Sequence, residues 1–253
     1  MNSYFRKALL FGLICFLFVP SSMVLADIFI KQKQHTDPIS IMGQGQPAKD
    51  VIQSTWITQD KIRTDDEKRS VIMLLKEGVI YILNHEKKTY MVMPLNMGQA
   101  MEEKMGREGM SDEEQEDFRK FSEGMMKMEI TVTETDETRK INNWNCKKYI
   151  QKIEMGMGPT TSEIWATQDL RMDYDLYAQF SASLMSMQPG LQKSVSRAIE
   201  EMKKIKGVPV LTHTVAKMMG MEMKSFTELL EFKEGTAPAG TFDIPKGYTK
   251  TEF

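Results

Sequence analysis

The chain has 253 residues, 41% of them apolar, and a formal net charge of −2 at pH 7. A mildly acidic balance argues against a nucleic-acid partner, because binding nucleic acid requires a basic face. The apolar fraction is sufficient for a globular core, and no Pro-, Gly- or Ser-rich linker divides the chain.

Residues 1–26 have the pattern of a cleavable secretory signal. Arg6 and Lys7 are followed by an uncharged apolar run over 8–20, and Val24-Leu25-Ala26 supplies the small residues of a cleavage site. No later segment approaches the roughly 20 apolar residues of a membrane span. We therefore expect a periplasmic domain over 27–253 that is not integral to the membrane. It would retain one cysteine, Cys146, and have no internal disulfide.

Runs of apolar and β-branched residues between turn formers predict antiparallel strands. In the first part these runs cover 27–33, 49–58, 71–75, 79–83 and 89–93. Strands resume at 128, where Met128, Ile130 and Val132 alternate with polar residues, as in a sheet with one face in water. Further strands are predicted over 145–157, 162–167, 208–217 and 221–232.

Two helical insertions are predicted, near 96–127 and near 174–204. In the first, Met97, Met101 and Met105 recur at i, i+4 and i+8 and so share one side of a helix. The second insertion is broken at Pro189-Gly190. Helices gathered on one side of an antiparallel sheet predict a single α+β domain.

Methionine is unusually frequent, with 23 in the chain and more methionine than leucine after residue 26. Three explanations remain open: methionine replaces leucine in an ordinary core, it lines a pliable cavity for an apolar ligand, or its thioethers bind Cu(I). For the cavity, the predicted lining residues are Met97, Met101, Met105, Ile130, Val132, Tyr149, Ile153, Met155 and Trp165. For copper, the candidate ligands are Met218, Met219, Met221 and Met223.

No motif in the sequence indicates a reaction. His35, His85 and His213 are scattered, and none lies near Cys146 in the sequence or within a nucleophile or metal motif. A phosphate-binding glycine loop and a nucleotide fingerprint are both absent. We therefore expect a protein that is not an enzyme and needs no cofactor.

Four phrases of the sequence are distinctive: Trp-Asn-Cys-Lys-Lys-Tyr at 144–149, Glu-Ile-Trp-Ala-Thr at 163–167, Lys-Gly-Val-Pro-Val at 206–210 and Phe-Asp-Ile-Pro-Lys-Gly-Tyr at 242–248. Together they resemble a family of exported bacterial domains that is similar to the lipoprotein carrier superfamily (LolA-like and LolB-like proteins). The resemblance implies a strongly curved antiparallel sheet, an incomplete β-barrel, with helices covering its concave apolar face. Characterised relatives of that fold hold lipid or lipoprotein acyl chains, or sense misfolded outer-membrane proteins. The last phrase also predicts a turn over 244–248 that lets Tyr248 close one end of the sheet.

These expectations favour a periplasmic carrier for acyl chains or another apolar ligand, with a lipid or a lipoprotein as its partner. Two alternatives remain open. One is a methionine-rich Cu(I)-binding protein, and the other is an envelope-stress or protein-interaction sensor on the same fold.

Overall fold

A computed structural model describes residues 26–41, 44–95, 128–156, 158–172, 192–218 and 221–252 of the protein. These ranges hold fourteen strands and one helix, α1 (Gln192–Met202). The strands are β1 (Ile28–Thr36), β2 (Ile39–Ile41), β3 (Gln44–Gln46), β4 (Lys49–Ile57), β5 (Lys61–Asp65), β6 (Arg69–Leu74), β7 (Val79–Asn84), β8 (Thr89–Pro94), β9 (Glu129–Ile141), β10 (Trp144–Met155), β11 (Gly158–Thr167), β12 (Val208–Met218), β13 (Met221–Glu234) and β14 (Thr249–Lys250).

Twelve of these strands form one open sheet in the order β14-β8-β7-β6-β5-β4-β1-β13-β12-β11-β10-β9, while β2 and β3 form a separate two-stranded sheet. Neighbouring strands are antiparallel except β14, which runs parallel to β8. The first strand, β1, pairs with both β4 and β13. It therefore joins the meander β4–β8 to the meander β9–β13.

The main core follows a row of directly paired residues across the first half of the sheet. Ile28 lies opposite Ile57, which lies opposite Ile62, and the row continues through Met73, Ile80 and Met93. All six side chains are buried. Because side chains alternate between the two faces of a strand, directly paired residues share a face. The row therefore produces a continuous apolar surface without a helix.

A second buried cluster lies against α1, at β9, β10 and β11. It contains Tyr149 and Ile164, which are directly paired, and Ala198 of the helix. The neighbouring residues Cys146 and Trp165 belong to the main core instead. At β10 and β11, alternation therefore places the two clusters on opposite faces of the sheet.

The predicted α+β architecture, with helices covering the concave face of an incomplete barrel, is wrong. Strands make up most of the described residues, twelve of them form one open sheet, and the one described helix has 11 residues. At β10 and β11 this helix packs on the face opposite the main core. Local periodicity indicates that a helix is amphipathic, but tertiary packing decides which face it covers.

One strand prediction is confirmed, and the two predicted insertions lie wholly or partly outside the described residues. The alternation at the start of β9 is confirmed, since Met128, Ile130 and Val132 are buried while the residues between them are exposed. The predicted insertion near 96–127 lies outside the described residues, as does the part of the second insertion before Gln192. No described helix combines the length and apolar character needed to cross a bilayer.

Candidate ligand-binding surface

An apolar surface lies between α1 and the sheet, and we call it the α1-covered surface. Ile130 is directly opposite Ile153, and Tyr149 is directly opposite Ile164. The surface comprises Met128, Ile130, Val132, Tyr149, Ile153, Met155, Ile164 and Ala166 of the strands, with Ala198, Met202 and Ile205 of α1 and the residues after it. It runs along β10 towards the end of that strand at Met155.

The helix is attached to β9, an edge strand of the sheet. Val132 N–H, which would otherwise point away from the ladder, donates to Oε2 of Glu201 at 2.8 Å. Lys204 Nζ donates to the other carboxylate oxygen of Glu201 at 2.6 Å. The hydrogen bonds from Lys204 and from the Val132 amide lower the pKa of Glu201. The Glu201 carboxylate therefore accepts a hydrogen bond from the edge strand β9 and holds the helix against that strand.

Five of the nine predicted lining residues meet on this surface: Ile130, Val132, Tyr149, Ile153 and Met155. Trp165 does not, because it follows Ile164 in β11 and points to the other face. There Arg139 stacks over the Trp165 indole, with its guanidinium carbon 4.0 Å from the ring centroid. Met97, Met101 and Met105 lie outside the described residues.

Three of the four candidate copper ligands, Met218, Met221 and Met223, belong to β12 and β13. The backbone register places Met218 opposite Met221, and Met223 opposite Ala216. Met221 is 37% exposed, and Met219 lies outside the described residues. No described cluster of three or more His, Cys, Asp or Glu residues is arranged to hold a metal ion. Copper binding stays a prediction.

A cleft of about 700 Å³ adjoins the α1-covered surface near the β9–β10 turn, and we call it the basic cleft. Four cationic residues line it, Arg139, Lys140, Lys147 and Lys206, together with two carboxylates, Glu134 and Asp169. Tyr149 and Ala166 line the cleft and also belong to the α1-covered surface. The polar cleft and the apolar surface are therefore continuous.

The charges of the basic cleft are only partly paired. Lys147 forms an ion pair with Glu134, which lowers the pKa of Glu134 and raises the pKa of Lys147. The charge of Lys206 contributes to the lowered pKa of Glu134. Asp169 accepts the Asn145 N–H at 2.7 Å. Positive charge exceeds negative charge in the cleft.

Cys146 is a structural thiol in this arrangement. It is 2% exposed, and its Sγ–H donates to the carbonyl of Trp144 at 3.6 Å. Burial raises the pKa of the Cys146 thiol. Because the thiolate is the reactive form, this environment disfavours nucleophilic chemistry.

Ser70 and His85 form a contact that superficially resembles a catalytic pair. Ser70 Oγ is 2.8 Å from His85 Nε2, but it donates its proton to Asp65, which is also bound by Arg63. Ser70 is fully buried. The other ring nitrogen of His85 lies 2.6 Å from the Tyr248 hydroxyl. This network holds the C-terminal segment against the sheet and offers no accessible nucleophile.

Sequence reasoning missed Ile164 and Ala166 of the apolar surface and Lys140 and Lys206 of the cleft. Ile164 sits beside Trp165, and only the register with Tyr149 separates their faces. Lys206 reaches the cleft because Tyr149 O–H donates to its carbonyl at 3.5 Å. The register between β10 and β11 is the signal that would have identified Ile164 and Ala166. The position of Lys206 depends instead on the path of the chain after α1.

The chain is similar to one protein family and to solved structures. The sequence pattern of a family described as Domain of unknown function (DUF4412) matches residues 47–248. Among curated proteins, no match was found. One similar solved structure is a domain from Vibrio parahaemolyticus named for outer membrane lipoprotein sorting. It has 8% sequence identity and a TM-score of 0.32, and the match covers 86% of this chain and 89% of that chain.

Proposed function

Since this chain belongs to the DUF4412 family, we propose its function from its own geometry: a non-enzymatic periplasmic carrier that binds an acyl chain or another apolar ligand on the α1-covered surface. The observation that carries the proposal is the meeting of Ile130, Val132, Tyr149, Ile153 and Met155 on one continuous apolar surface. The predicted secretory signal over 1–26 supports the periplasmic location.

The helix that covers this surface is suited to act as a movable cover. Helices in proteins gain most of their stability from the packing of an apolar face rather than from the helix itself. The position of α1 therefore depends on packing by Ala198 and Met202 and on the bond between Glu201 and the Val132 amide. When α1 moves away, an acyl chain packed on the same strands would keep their apolar side chains out of water.

The surface also suits a ligand of variable shape. Met128, Met155 and Met202 contribute unbranched, polarizable side chains that adapt to different partners. Ile153 and Met155 are only partly buried, so they mark the side of the surface that a ligand reaches first. The buried Cys146 and the fully buried Ser70 support a binding role over a catalytic one.

Native mass spectrometry of the purified full chain tests the proposal. We expect co-purified lipid, and a rise in melting temperature when palmitate is added. Ile153→Gln should reduce both effects, because it places an amide on the apolar surface. Ile52→Gln is the matched control, since Ile52 is 43% exposed on β4, away from α1. A ligand-free spectrum with no change in melting temperature on adding palmitate would contradict the proposal. Equal effects of the two substitutions on lipid binding would also contradict it.

A further inference from the structure

The basic cleft and the α1-covered surface form one path along β10. Lys147 faces the cleft, Tyr149 belongs to both, and Ile153 and Met155 continue along the apolar surface. All four lie on one face of the strand, because their positions in the sequence differ by even numbers. At about 3.3 Å per residue, the path from Lys147 to Met155 is roughly 26 Å long. The hydrocarbon core of a whole bilayer is about 30 Å thick. The path is therefore longer than the half of that thickness which one leaflet contributes.

Two lysines of the cleft are available for an anion. Lys140 and Lys206 line the cleft and form no ion pair with any described residue. The Lys147 side chain is 38% exposed and forms an ion pair with Glu134. Arg139 is committed to stacking on Trp165. The unpaired positive charge therefore lies at the polar end of the path.

We propose that the α1-covered surface and the basic cleft together bind an anionic phospholipid. Its phosphate lies between Lys140 and Lys206, and an acyl chain follows β10 beneath α1. An ammonium group binds phosphate as a compact point charge, and charge-assisted hydrogen bonds to phosphate are the stronger kind. The order of polar cleft, tyrosine and apolar surface matches the order of headgroup, glycerol and acyl chain. This inference rests on the proposed function and names its ligand class.

The experiment compares two lipids with the same acyl chains. The full chain is titrated with dioleoylphosphatidylglycerol and with neutral dioleoylglycerol, and the bound fractions are measured by native mass spectrometry. We expect tighter binding of phosphatidylglycerol. Lys140→Gln with Lys206→Gln should weaken that binding roughly five- to tenfold, since exposed ion pairs make small individual contributions. The binding of dioleoylglycerol should not change.

A matched double variant removes the same charge elsewhere. Lys87→Gln with Lys246→Gln alters two exposed lysines at the other end of the sheet, so it should leave the binding of both lipids unchanged. An equal loss in the two double variants would show a general effect of net charge and would overturn the cleft as the headgroup site.

Other outcomes separate this inference from the proposed function. If neither lipid binds, the proposed function fails and the inference fails with it. If both lipids bind equally and the lysine variants change nothing, the carrier function stands and the anionic headgroup is overturned. If inorganic phosphate binds in a lysine-dependent manner while phosphatidylglycerol binds no better than dioleoylglycerol, the cleft is a site for free anions and the inference is overturned.

Glu134→Gln provides a test in the opposite direction. It removes a negative charge from the cleft and frees Lys147 from its ion pair. We expect phosphatidylglycerol to bind about two- to fivefold more tightly, and this gain should shrink as salt screens the exposed charges. Weaker phosphatidylglycerol binding by a variant with unchanged melting temperature would contradict the inference.

Discussion

At the residue scale, the backbone conformation of Gly207 determines the path of the chain from α1 to β12. Its φ is +113°, and a Cβ atom at this position would lie 2.3 Å from the carbonyl oxygen of Thr167. Only glycine avoids both the backbone strain and the collision. The close approach fixes Lys206, which lines the basic cleft, beside the end of β11.

Replacing this glycine should be costly. We expect Gly207→Ala to lower the free energy of unfolding by roughly 2–4 kcal/mol, because left-handed strain and a backbone collision act together. Urea unfolding measures the change. Gly78→Ala is the control, since Gly78 has φ +66° but no atom within 4 Å of the added Cβ. It should lose about 1–2 kcal/mol, and equal losses in the two variants would contradict the role of the Thr167 contact.

At the scale of the element, α1 depends on a titratable anchor. The folded-state pKa of Glu201 lies below its ordinary value of 4.5, because Lys204 and the Val132 amide favour the carboxylate. A lowered folded-state pKa means that the carboxylate stabilises the fold above the unfolded pKa. That contribution is lost as the pH falls from about 4.5 through the folded-state pKa.

This pH dependence predicts a difference in the free energy of unfolding between wild type and Glu201→Gln. At pH 6 the wild type should be more stable by about 1 kcal/mol, since the variant replaces a charged acceptor with a neutral one. The difference should disappear below the folded-state pKa, where Glu201 is itself neutral. Urea midpoints measured from pH 6 downwards should show the difference shrinking once the pH falls below about 4.5. Glu200→Gln, one residue earlier on an exposed side of α1, is the control and should change the stability by less at pH 6.

At the scale of the whole molecule, the C-terminal segment closes the first half of the sheet. Gly247, at φ +87°, turns the chain so that Tyr248 reaches His85, and β14 then pairs with β8. Arg63 adds a second attachment by donating to the carbonyl of Thr241 at 2.7 Å. The predicted turn at 244–248, with Tyr248 closing one end of the sheet, is confirmed.

Removing the Tyr248 hydroxyl should weaken this closure. Tyr248→Phe leaves the ring contact with His85 but deletes its hydrogen bond, so we expect a loss of about 0.5–1.5 kcal/mol in the free energy of unfolding. Tyr90→Phe is the control, because the Tyr90 ring packs on Tyr81 while its hydroxyl has no partner among the described residues. Similar losses in the two variants would count against the Tyr248–His85 bond.

The sequence by itself determined much of the apolar surface and ten of the fourteen strands, but not β2, β3, β5 or β14. Alternation at Met128, Ile130 and Val132 and the even spacing of Tyr149, Ile153 and Met155 predicted which residues share a face, because the period of two is a local property of an extended backbone. The tertiary structure decided the rest. Ile164 lies under α1 while Trp165 lies in the main core, because the pairing of β11 with β10 determines which face each adjacent residue occupies. The helix covers the face opposite that core, and Lys140 and Lys206 meet in one cleft, because these positions depend on contacts between residues far apart in the chain.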